Sequence, residues 1–104
     1  MNVCTPLAAL ADPTRQQIVA MLAKGALSSG EIAGRFSLTA PAISQHLRTL
    51  RQARLVRARP LKQKRIYELD RDGIAEVAAW VEQVRAFWNP RLDALEEALR
   101  KEKP

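Results

Sequence analysis

The strongest constraint on the fold is a row of apolar residues in the last third of the chain, spaced as on one side of a helix. Its members are Ile74, Val77, Val81, Val84, Trp88, Leu92, Leu95 and Leu99, at steps of 3, 4, 3, 4, 4, 3 and 4 residues. This alternation is close to the seam of a coiled coil. Because a chain of 104 residues builds only a small core of its own, the row predicts a long helix over about 71–101 that pairs with a second chain.

A proline interrupts this row. Asp70 is expected to cap the start of the long helix, and Pro90 lies well inside it. Proline has no N–H to donate and disfavours helical backbone at the residue before it. We therefore expect a kink or a break at Asn89-Pro90, with Asn89 capping the second piece.

Three shorter helices are predicted upstream. Asp12 and Pro13 suit the N-cap and first position of one helix, which should end at residues 24–25, where a glycine can take the left-handed cap conformation. Ser28 and Glu31 have the three-residue spacing of a capping box, which predicts a second helix.

The third short helix, over about 40–53, has the most informative surface. Thr39 suits its N-cap, and Pro41 is tolerated in its first turn. Ile43, Leu47 and Leu50 form one inward stripe. The opposite side carries no acid and consists of Pro41, Ser44, Gln45, Arg48 and Gln52.

Basic charge is concentrated in the middle of the chain. Nine basic residues and no acid lie between Glu31 and Glu68. The whole chain carries +6, so the remaining residues together carry −3. This segregation favours a polyanionic partner.

Two segments after the third helix have the alternation of strands. "LVRARP" and "KRIYEL" alternate apolar and charged residues, and "LKQK" can form the turn between them. Ile66 and Tyr67 fall on opposite faces, and alternation alone does not decide which is inward. A basic hairpin over about 55–69, with three short helices and one long helix, predicts a single domain over 1–104. Its class is mainly α with a small β-hairpin, in a winged helix-turn-helix arrangement.

The stretches "LADPTRQQIVAML", "EIAGRFSLTAPAISQHLRTLRQARLV" and "IYELD", with the tryptophan-bearing last helix, are similar to the ArsR/SmtB family of bacterial transcriptional repressors. The resemblance covers nearly the whole chain. It implies a repressor that is a homodimer joined through its first and last helices, with a recognition helix over about 40–53 in the major groove and a wing beside it. We expect a palindromic operator in double-stranded DNA.

Two surfaces follow from this hypothesis. The residues expected to contact DNA are Thr39, Pro41, Ser44, Gln45, Arg48, Arg51, Arg59, Lys62, Lys64 and Arg65. Gln45 is the expected base reader, because its amide can bond a base edge bidentately, whereas the cations are expected on phosphates. The residues expected at the dimer interface are Leu7, Leu10, Val77, Val81, Val84, Trp88, Leu92 and Leu95.

The sequence departs from the family pattern at two places. Arg54 stands where the family usually has a glycine after the recognition helix, so a left-handed cap must accommodate a side chain or be replaced by another geometry. Residues 62–64, "KQK", stand at the wing tip, which commonly has a glycine. Both departures bear on the shape of the wing more than on the fold.

Metal sensing, which much of the family performs, is not expected, and neither is a cofactor. The cysteine pair before the recognition helix is absent, and the last helix has acids but no histidine. With Cys4 and His46 as the sole cysteine and histidine, one subunit cannot build a site with several such ligands. His46 is expected to be a packed boundary residue, and Asp12 and Arg15 are expected to pair.

Alternative functions are weaker. A winged helix could instead dock on an acidic protein partner. RNA binding is disfavoured because residues 37–65 hold no stacking aromatics, and an enzyme because the sole histidine lies on the recognition helix and no nucleophile elbow or phosphate loop exists. A small-molecule or protein effector stays open; Trp80 and Phe87 are expected in the core or interface rather than in an effector pocket. With no membrane-length apolar run and no secretory signal, we expect a cytoplasmic protein.

Overall fold

The computed structural model describes residues 4–102. Its elements are α1 (Cys4–Ala9), α2 (Pro13–Leu22), β1 (Leu27–Ser28), α3 (Ser29–Ala33), α4 (Ala40–Gln52), β2 (Val56–Leu61), β3 (Lys64–Leu69) and α5 (Arg71–Glu102). The strands form one antiparallel sheet in the order β1-β3-β2. The fold is thus mainly helical with a small sheet, and α3, α4 and the β2–β3 hairpin form a winged helix-turn-helix, as predicted.

The core lies where α2, α3 and α4 pack together and against the sheet. Its largest fully buried side chains are Ile18, Ile32, Ile43, Leu47, Leu50, Leu55 and Val56. The predicted inward stripe of α4 is confirmed, because its three apolar residues are all in this set. Each buried aliphatic side chain contributes about 1.5–3 kcal/mol relative to exposure, so the stripe holds α4 firmly in place.

The predicted helix starts are also confirmed. The Asp12 carboxylate accepts a hydrogen bond from the Arg15 N–H at 3.1 Å. In the capping box, the Glu31 N–H donates to the Ser28 hydroxyl at 3.1 Å and the Ser28 N–H donates to the Glu31 carboxylate at 2.9 Å. The Thr39 hydroxyl accepts from the Ala42 N–H at 3.2 Å. These bonds satisfy backbone donors that lack a partner in the first turn of each helix.

Three short features differ from the sequence-based expectations. Helix α2 ends at Leu22, before the predicted 24–25, and is capped by Ala23. Gly25 follows with φ +152°, and its N–H donates to the Leu22 carbonyl at 3.2 Å. Helix α1, of six residues, and strand β1, of two, were not predicted from residue patterns, because elements that short show no periodicity.

The sheet register decides which residue of β3 faces inward. Ala58 pairs with Tyr67, and Leu27 pairs with Tyr67 from the other side, so these residues share the core face. Ile66 pairs with Arg59 on the opposite face and is still only 9% exposed. Tyr67 is therefore the inward residue, although both are buried.

Helix α5 is continuous from Arg71 to Glu102 with Pro90 inside it. The predicted break, with Asn89 as a second cap, is wrong. Proline removes one hydrogen bond from the ladder, and the intact turns on both sides outweigh that loss in a helix of 32 residues. The neighbouring Phe87 carbonyl also accepts a bond from the Arg91 guanidinium at 2.7 Å.

The long helix gives the molecule its extended shape, with principal extents of 66 × 29 × 22 Å. Ile74 and Val77, near its start, pack against the core. Beyond about Val81 the helix leaves the core. None of the helices within residues 4–102 combines the length and hydropathy needed to cross a membrane.

Candidate nucleic-acid interface

The outer face of α4 is a row of exposed polar side chains on a rigid helix. Ser44, Gln45 and Arg48 are exposed, whereas the inward residues Ile43 and Leu47 are 2% and 1% exposed. The two sets are separated as strongly as an amphipathic helix allows. The buried stripe fixes the helix, so the outer face is held in a defined orientation.

These outer side chains have no protein partner in the part of the chain that is described. Along α4, the Thr49 hydroxyl donates to the Gln45 backbone carbonyl at 3.1 Å, but no hydrogen bond or ion pair involves the side chains of Ser44, Gln45 or Arg48 within residues 4–102. Their donors and acceptors are available to bond base edges or phosphate oxygens.

The wing adds cations beside this helix. Strands β2 and β3 are joined by the two-residue turn Lys62–Gln63, and Leu61 pairs with Lys64. Lys62 has φ +58°, in the left-handed region, so the tip takes this conformation without the expected glycine. The side chains of Lys62, Lys64 and Arg65 are exposed and form no ion pair within residues 4–102.

The base of the wing is less basic than the sequence suggests. Arg57 lies opposite Glu68 across the hairpin, with Nε 3.0 Å from the carboxylate, and the Arg59 Nε is 3.6 Å from the same carboxylate. Arg59, predicted as a phosphate contact, therefore shares its charge with an acid. Sequence reasoning missed this neutralisation, which a strand register would have found, because Arg57 and Glu68 form a cross-strand pair.

All ten residues predicted to contact DNA are exposed. The structure brings them onto two adjoining elements, since α4 leads through a tight turn into β2 and packs against it. Exposure is required for contact but does not test it, so the individual roles stay predictions.

His46 lies at the edge of the outer face and is half-buried, as expected. The Arg15 guanidinium reaches its Nδ1 at 3.2 Å and donates through Nε to the Ala9 carbonyl at 2.6 Å. Because the guanidinium has only donors, Nδ1 accepts and the proton of the neutral ring is assigned to Nε2. Arg15 thus ties α1 and α2 to α4, a contact across 31 positions that no local spacing could reveal.

The expected pairing of Asp12 with Arg15 takes a different form. The Asp12 carboxylate bonds to the backbone N–H of Arg15, not to its guanidinium. This hydrogen bond has the largest effect and lowers the pKa of Asp12, desolvation opposes it, and the Thr14 N–H and the positive charge of Arg15 lower the pKa further. The carboxylate is therefore a helix cap.

A second acid lies near the wing. Backbone and side-chain hydrogen bonds from Ser28 lower the pKa of Glu31, against some desolvation, and the charges of Lys64 and Arg35 lower it further. Glu31 thus stays ionised at neutral pH and holds the start of α3.

The second half of α5 exposes the apolar row over most of its length. We call Val81, Val84, Trp88, Leu92, Leu95 and Leu99 the α5 seam. Trp88 is 50% exposed and Leu95 is 55% exposed, which is a large apolar area for a protein surface.

Three residues assigned to the dimer interface lie in different settings. Leu7 on α1 is 36% exposed, whereas Leu10 and Val77 pack against the core of their own chain.

Beside the seam, Phe87 stacks edge-to-face on Trp88 at 5.2 Å between ring centroids, and the Arg91 guanidinium lies 3.7 Å from the Phe87 ring centroid. The aromatic pair is thus covered by a cation on one side and exposed on the other.

Residues 4–102 contain no cluster of three or more histidine, cysteine, aspartate or glutamate side chains suited to a metal ion. The exposed surfaces are therefore of two kinds: α4 and the wing are polar or basic, and the second half of α5 is apolar along its seam.

Known proteins with the same sequence pattern are regulators of transcription. A family model described as "Bacterial regulatory protein, arsR family" matches residues 12–58, which span α2 to the start of β2. The HTH-type transcriptional regulator Rv2034 of Mycobacterium tuberculosis is 44% identical over 84 residues, 81% of this chain and 76% of that protein.

Two further relatives differ in the sign of regulation. The transcriptional repressor SdpR of Bacillus subtilis is 33% identical over 73 residues, 70% of this chain and 81% of that protein. The transcriptional activator HlyU of Vibrio cholerae is 41% identical over 82 residues, 79% of this chain and 73% of that protein.

A solved structure shares the fold. The homodimeric winged helix-turn-helix DNA-binding domain of Mb0332 from Mycobacterium bovis, described as a possible ArsR-family transcriptional regulator, superposes with a TM-score of 0.67 at 28% identity. The match covers 81% of this chain and 78% of that one.

Proposed function

Because the chain belongs to the arsR family of bacterial regulatory proteins, and so is a DNA-binding transcriptional regulator and not an enzyme, we propose that it is a homodimeric repressor of a palindromic operator. The observation that carries this proposal is the outer face of α4. It is rigid, exposed and free of acids, and its side chains have no partner within residues 4–102. A major-groove reader needs these properties, because base edges are read by unpaired donors and acceptors held in a fixed orientation.

In the proposed complex the outer face of α4 enters the major groove. Gln45 bonds a base edge, and Ser44 and Thr39 reach bases or phosphates at the start of the helix. Pro41 shapes this helix start, and in the proposed complex it contacts a thymine methyl group. Arg48 and Arg51, later on the helix, hold phosphates.

The wing supplies sequence-independent affinity. Lys62, Lys64 and Arg65, which form no ion pair within residues 4–102, hold phosphates, and Arg59 contributes less because of Glu68. Each phosphate neutralised releases counterions, so binding weakens by about 0.9 log units per log unit of salt for every contact. Steep salt dependence is therefore part of the proposal.

The homodimer is supported by the α5 seam, because five of its six side chains are 40–55% exposed. Pairing of two α5 helices buries these side chains, and a dimer with two-fold symmetry presents two copies of α4. Two such helices fit successive major grooves about 34–36 Å apart, so the operator is an imperfect palindrome. Leu7 on α1 extends the interface, while Leu10 and Val77 support it from the core.

Repression is the simplest outcome of this binding. A bound dimer that overlaps a promoter excludes polymerase by occupancy alone, whereas activation requires a further contact with the transcription machinery. The name of the relative SdpR agrees with repression and the name of HlyU with activation, so the sign of regulation needs its own measurement.

The experiment that tests the proposal is selection of bound duplexes from a random DNA library at about 150 mM salt, where nonspecific binding is suppressed. An enriched palindrome is the expected result. The selected site is then placed across a promoter in a reporter, where expression should fall in the presence of the protein. If a folded dimer enriches no motif, the proposed binding to a palindromic operator fails and docking on an acidic protein partner takes its place. If expression rises, the repressor part of the proposal fails.

A further inference from the structure

The junction between α4 and α5 has an unusual construction. Helix α4 ends in a pair of crossed backbone bonds: the Arg54 N–H donates to the Arg51 carbonyl at 3.0 Å, and the Leu55 N–H donates to the Leu50 carbonyl at 3.0 Å. Arg54 has φ +62°. This is the Schellman arrangement, in which the left-handed position usually holds a glycine. Here it holds a long, charged side chain instead.

The start of α5 fits directly against this turn. A Cβ atom added to Gly73 would lie 1.6 Å from the Arg54 carbonyl oxygen and 2.7 Å from its carbonyl carbon. No side chain fits in that space, so the two backbones are in direct contact. The Asp70 N–H donates to the Leu55 carbonyl at 2.9 Å, which adds a backbone bond across the same junction.

The side chain of Arg54 closes the junction from outside. Its guanidinium lies 3.2 Å from one Glu76 carboxylate oxygen and 3.4 Å from the other. The pair is partly exposed, with side-chain exposures of 57% and 39%, so its contribution to overall stability is small. Its position is the informative feature, because it joins the end of α4 to the first turns of α5.

Resting on the proposed function, we propose that Arg54 is a positioning residue that fixes the angle between α4 and α5 and thereby sets the half-site spacing that the dimer accepts. In a symmetric dimer, each α5 is held by its partner and each α4 reads one half-site. The separation of the two α4 helices then depends on the angle at this junction in each chain. Arg54 fixes this angle through two contacts, one with the Gly73 backbone and one with the Glu76 carboxylate.

A small rotation is enough to matter. The 13 residues of α4 span about 20 Å at about 1.5 Å per residue. A tilt of about 10° about the junction moves the far end of α4 by about 3.5 Å, close to the rise of about 3.4 Å per base pair. A looser junction therefore lets the dimer accept operators one base pair shorter or longer.

The test measures affinity for operators built from the selected half-sites with the spacer shortened or lengthened by one base pair. The readout is the ratio of affinities for the best and the neighbouring spacings, which a uniform loss of stability or charge does not change. For Glu76→Gln we expect this ratio to fall about two- to fivefold, the range of a partly exposed ion pair. Glu82→Gln is the matched control, because it removes an acid from the same helix and breaks the 2.9 Å pair with Arg85 away from the junction.

A charge exchange sharpens the result. Arg54→Glu alone should lower the ratio, and Arg54→Glu combined with Glu76→Arg should restore it towards the wild-type value, since the pair is remade with the same net charge. Gly73→Ala should abolish the spacing preference or prevent folding, so the ion-pair variants carry the test.

The outcomes separate the two proposals. If the wild-type dimer prefers one spacing and the Glu76 and Arg54 variants keep that preference unchanged, or weaken all spacings equally, the positioning role is overturned and the proposed function stands. If the wild-type protein binds no palindrome at any spacing, the proposed function itself fails and takes the inference with it.

Discussion

Helix α4 and the second half of α5 are both amphipathic, but they differ in which face the chain covers. In α4 the apolar side is sealed in the core, with Leu50 fully buried, and the polar side is exposed. In α5 the polar side faces solvent and the apolar side is exposed as well, with Leu92 and Leu99 each 54% exposed. One chain alone buries the apolar side of α4, but it does not bury the apolar side of the second half of α5.

This difference indicates two kinds of partner. An exposed polar face with spare donors loses little in water and can exchange its hydration for bonds to DNA. An exposed apolar row costs free energy in proportion to its area until something covers it. The α4 surface is therefore suited to reversible recognition, and the α5 seam to a permanent partner, for which a second copy of the chain is the simplest.

The largest expected effect comes from placing a charge in the seam. Leu95→Glu, present twice in the symmetric interface, leaves buried charges without partners, which costs about 3–5 kcal/mol for each. We expect dimer association at least about 100-fold weaker and loss of specific DNA binding, because a monomer holds one half-site. Light scattering at micromolar concentration measures the first effect and titration of the selected duplex the second.

Gln83→Glu is the control for this variant, because it adds the same charge to an exposed position of α5 on the side away from the seam. If the Leu95→Glu protein remained a dimer, the α5 seam would not be the dimer interface, and the inferred difference between the partners of α4 and α5 would be wrong.

Much of this contrast could be predicted from the sequence. The inward stripe of α4 and the caps at Asp12, Ser28 and Thr39 follow from local rules, because each depends on residues within about one helical turn. The long apolar row of α5 also predicts its own exposure in a single chain, since 104 residues cannot cover it.

Contacts between distant segments could not be predicted. The Arg15–His46 bond and the neutralisation of Arg57 and Arg59 by Glu68 join residues 31, 11 and 9 positions apart, and they depend on how elements pack. The predicted helix break at Pro90 is wrong for a different reason. Proline does remove one backbone hydrogen bond, but the remaining hydrogen bonds of the long helix outweigh that loss. The sequence leaves two geometries possible at Arg54, and the structure has the left-handed one, with the Arg54 carbonyl group against Gly73 of α5.

Within the DNA-binding surface, Gln45→Ala should have the next largest effect. Loss of a bidentate base contact costs about 1–3 kcal/mol at each half-site, or about 5- to 150-fold, on the selected sequence. Binding to unrelated DNA should hardly change, so sequence preference flattens. Competition between selected and random duplexes measures it, and Gln17→Ala, the same change on the exposed face of α2, is the control. Equal losses on both kinds of DNA would assign Gln45 to the backbone instead.

Lys64→Ala should have a smaller and different effect. The wing cation contacts phosphate in the proposal, so all sequences should weaken similarly, by a few-fold, and the slope of log affinity against log salt should decrease by about 0.9 for each subunit. Affinity measured from low to high salt gives this slope. Lys101→Ala removes the same charge at the far end of α5 and should leave the slope unchanged. A loss confined to the selected sequence would contradict the phosphate role.

The smallest expected effect is a loss of stability at low pH. It arises from the capping carboxylates of α2 and α3, the helices that pack with α4, and not from the α5 seam. Asp12 and Glu31 have pKa values below their ordinary values of 3.8 and 4.5, because backbone N–H groups of Arg15 and Ser28 bond to the ionised carboxylates. The folded state therefore binds fewer protons than the unfolded chain as the pH falls. The stabilisation is complete above about pH 4.5 and is lost as the pH drops through the lowered pKa values of the folded state.

Urea unfolding at fixed protein concentration between about pH 6 and pH 3 measures this loss. The urea midpoint should fall as the pH is lowered, and it should fall less steeply in Glu31→Gln, because the glutamine keeps the cap acceptor without the charge. Identical slopes for the two proteins would show that the capping box at the start of α3 does not contribute to the acid sensitivity of the DNA-binding half.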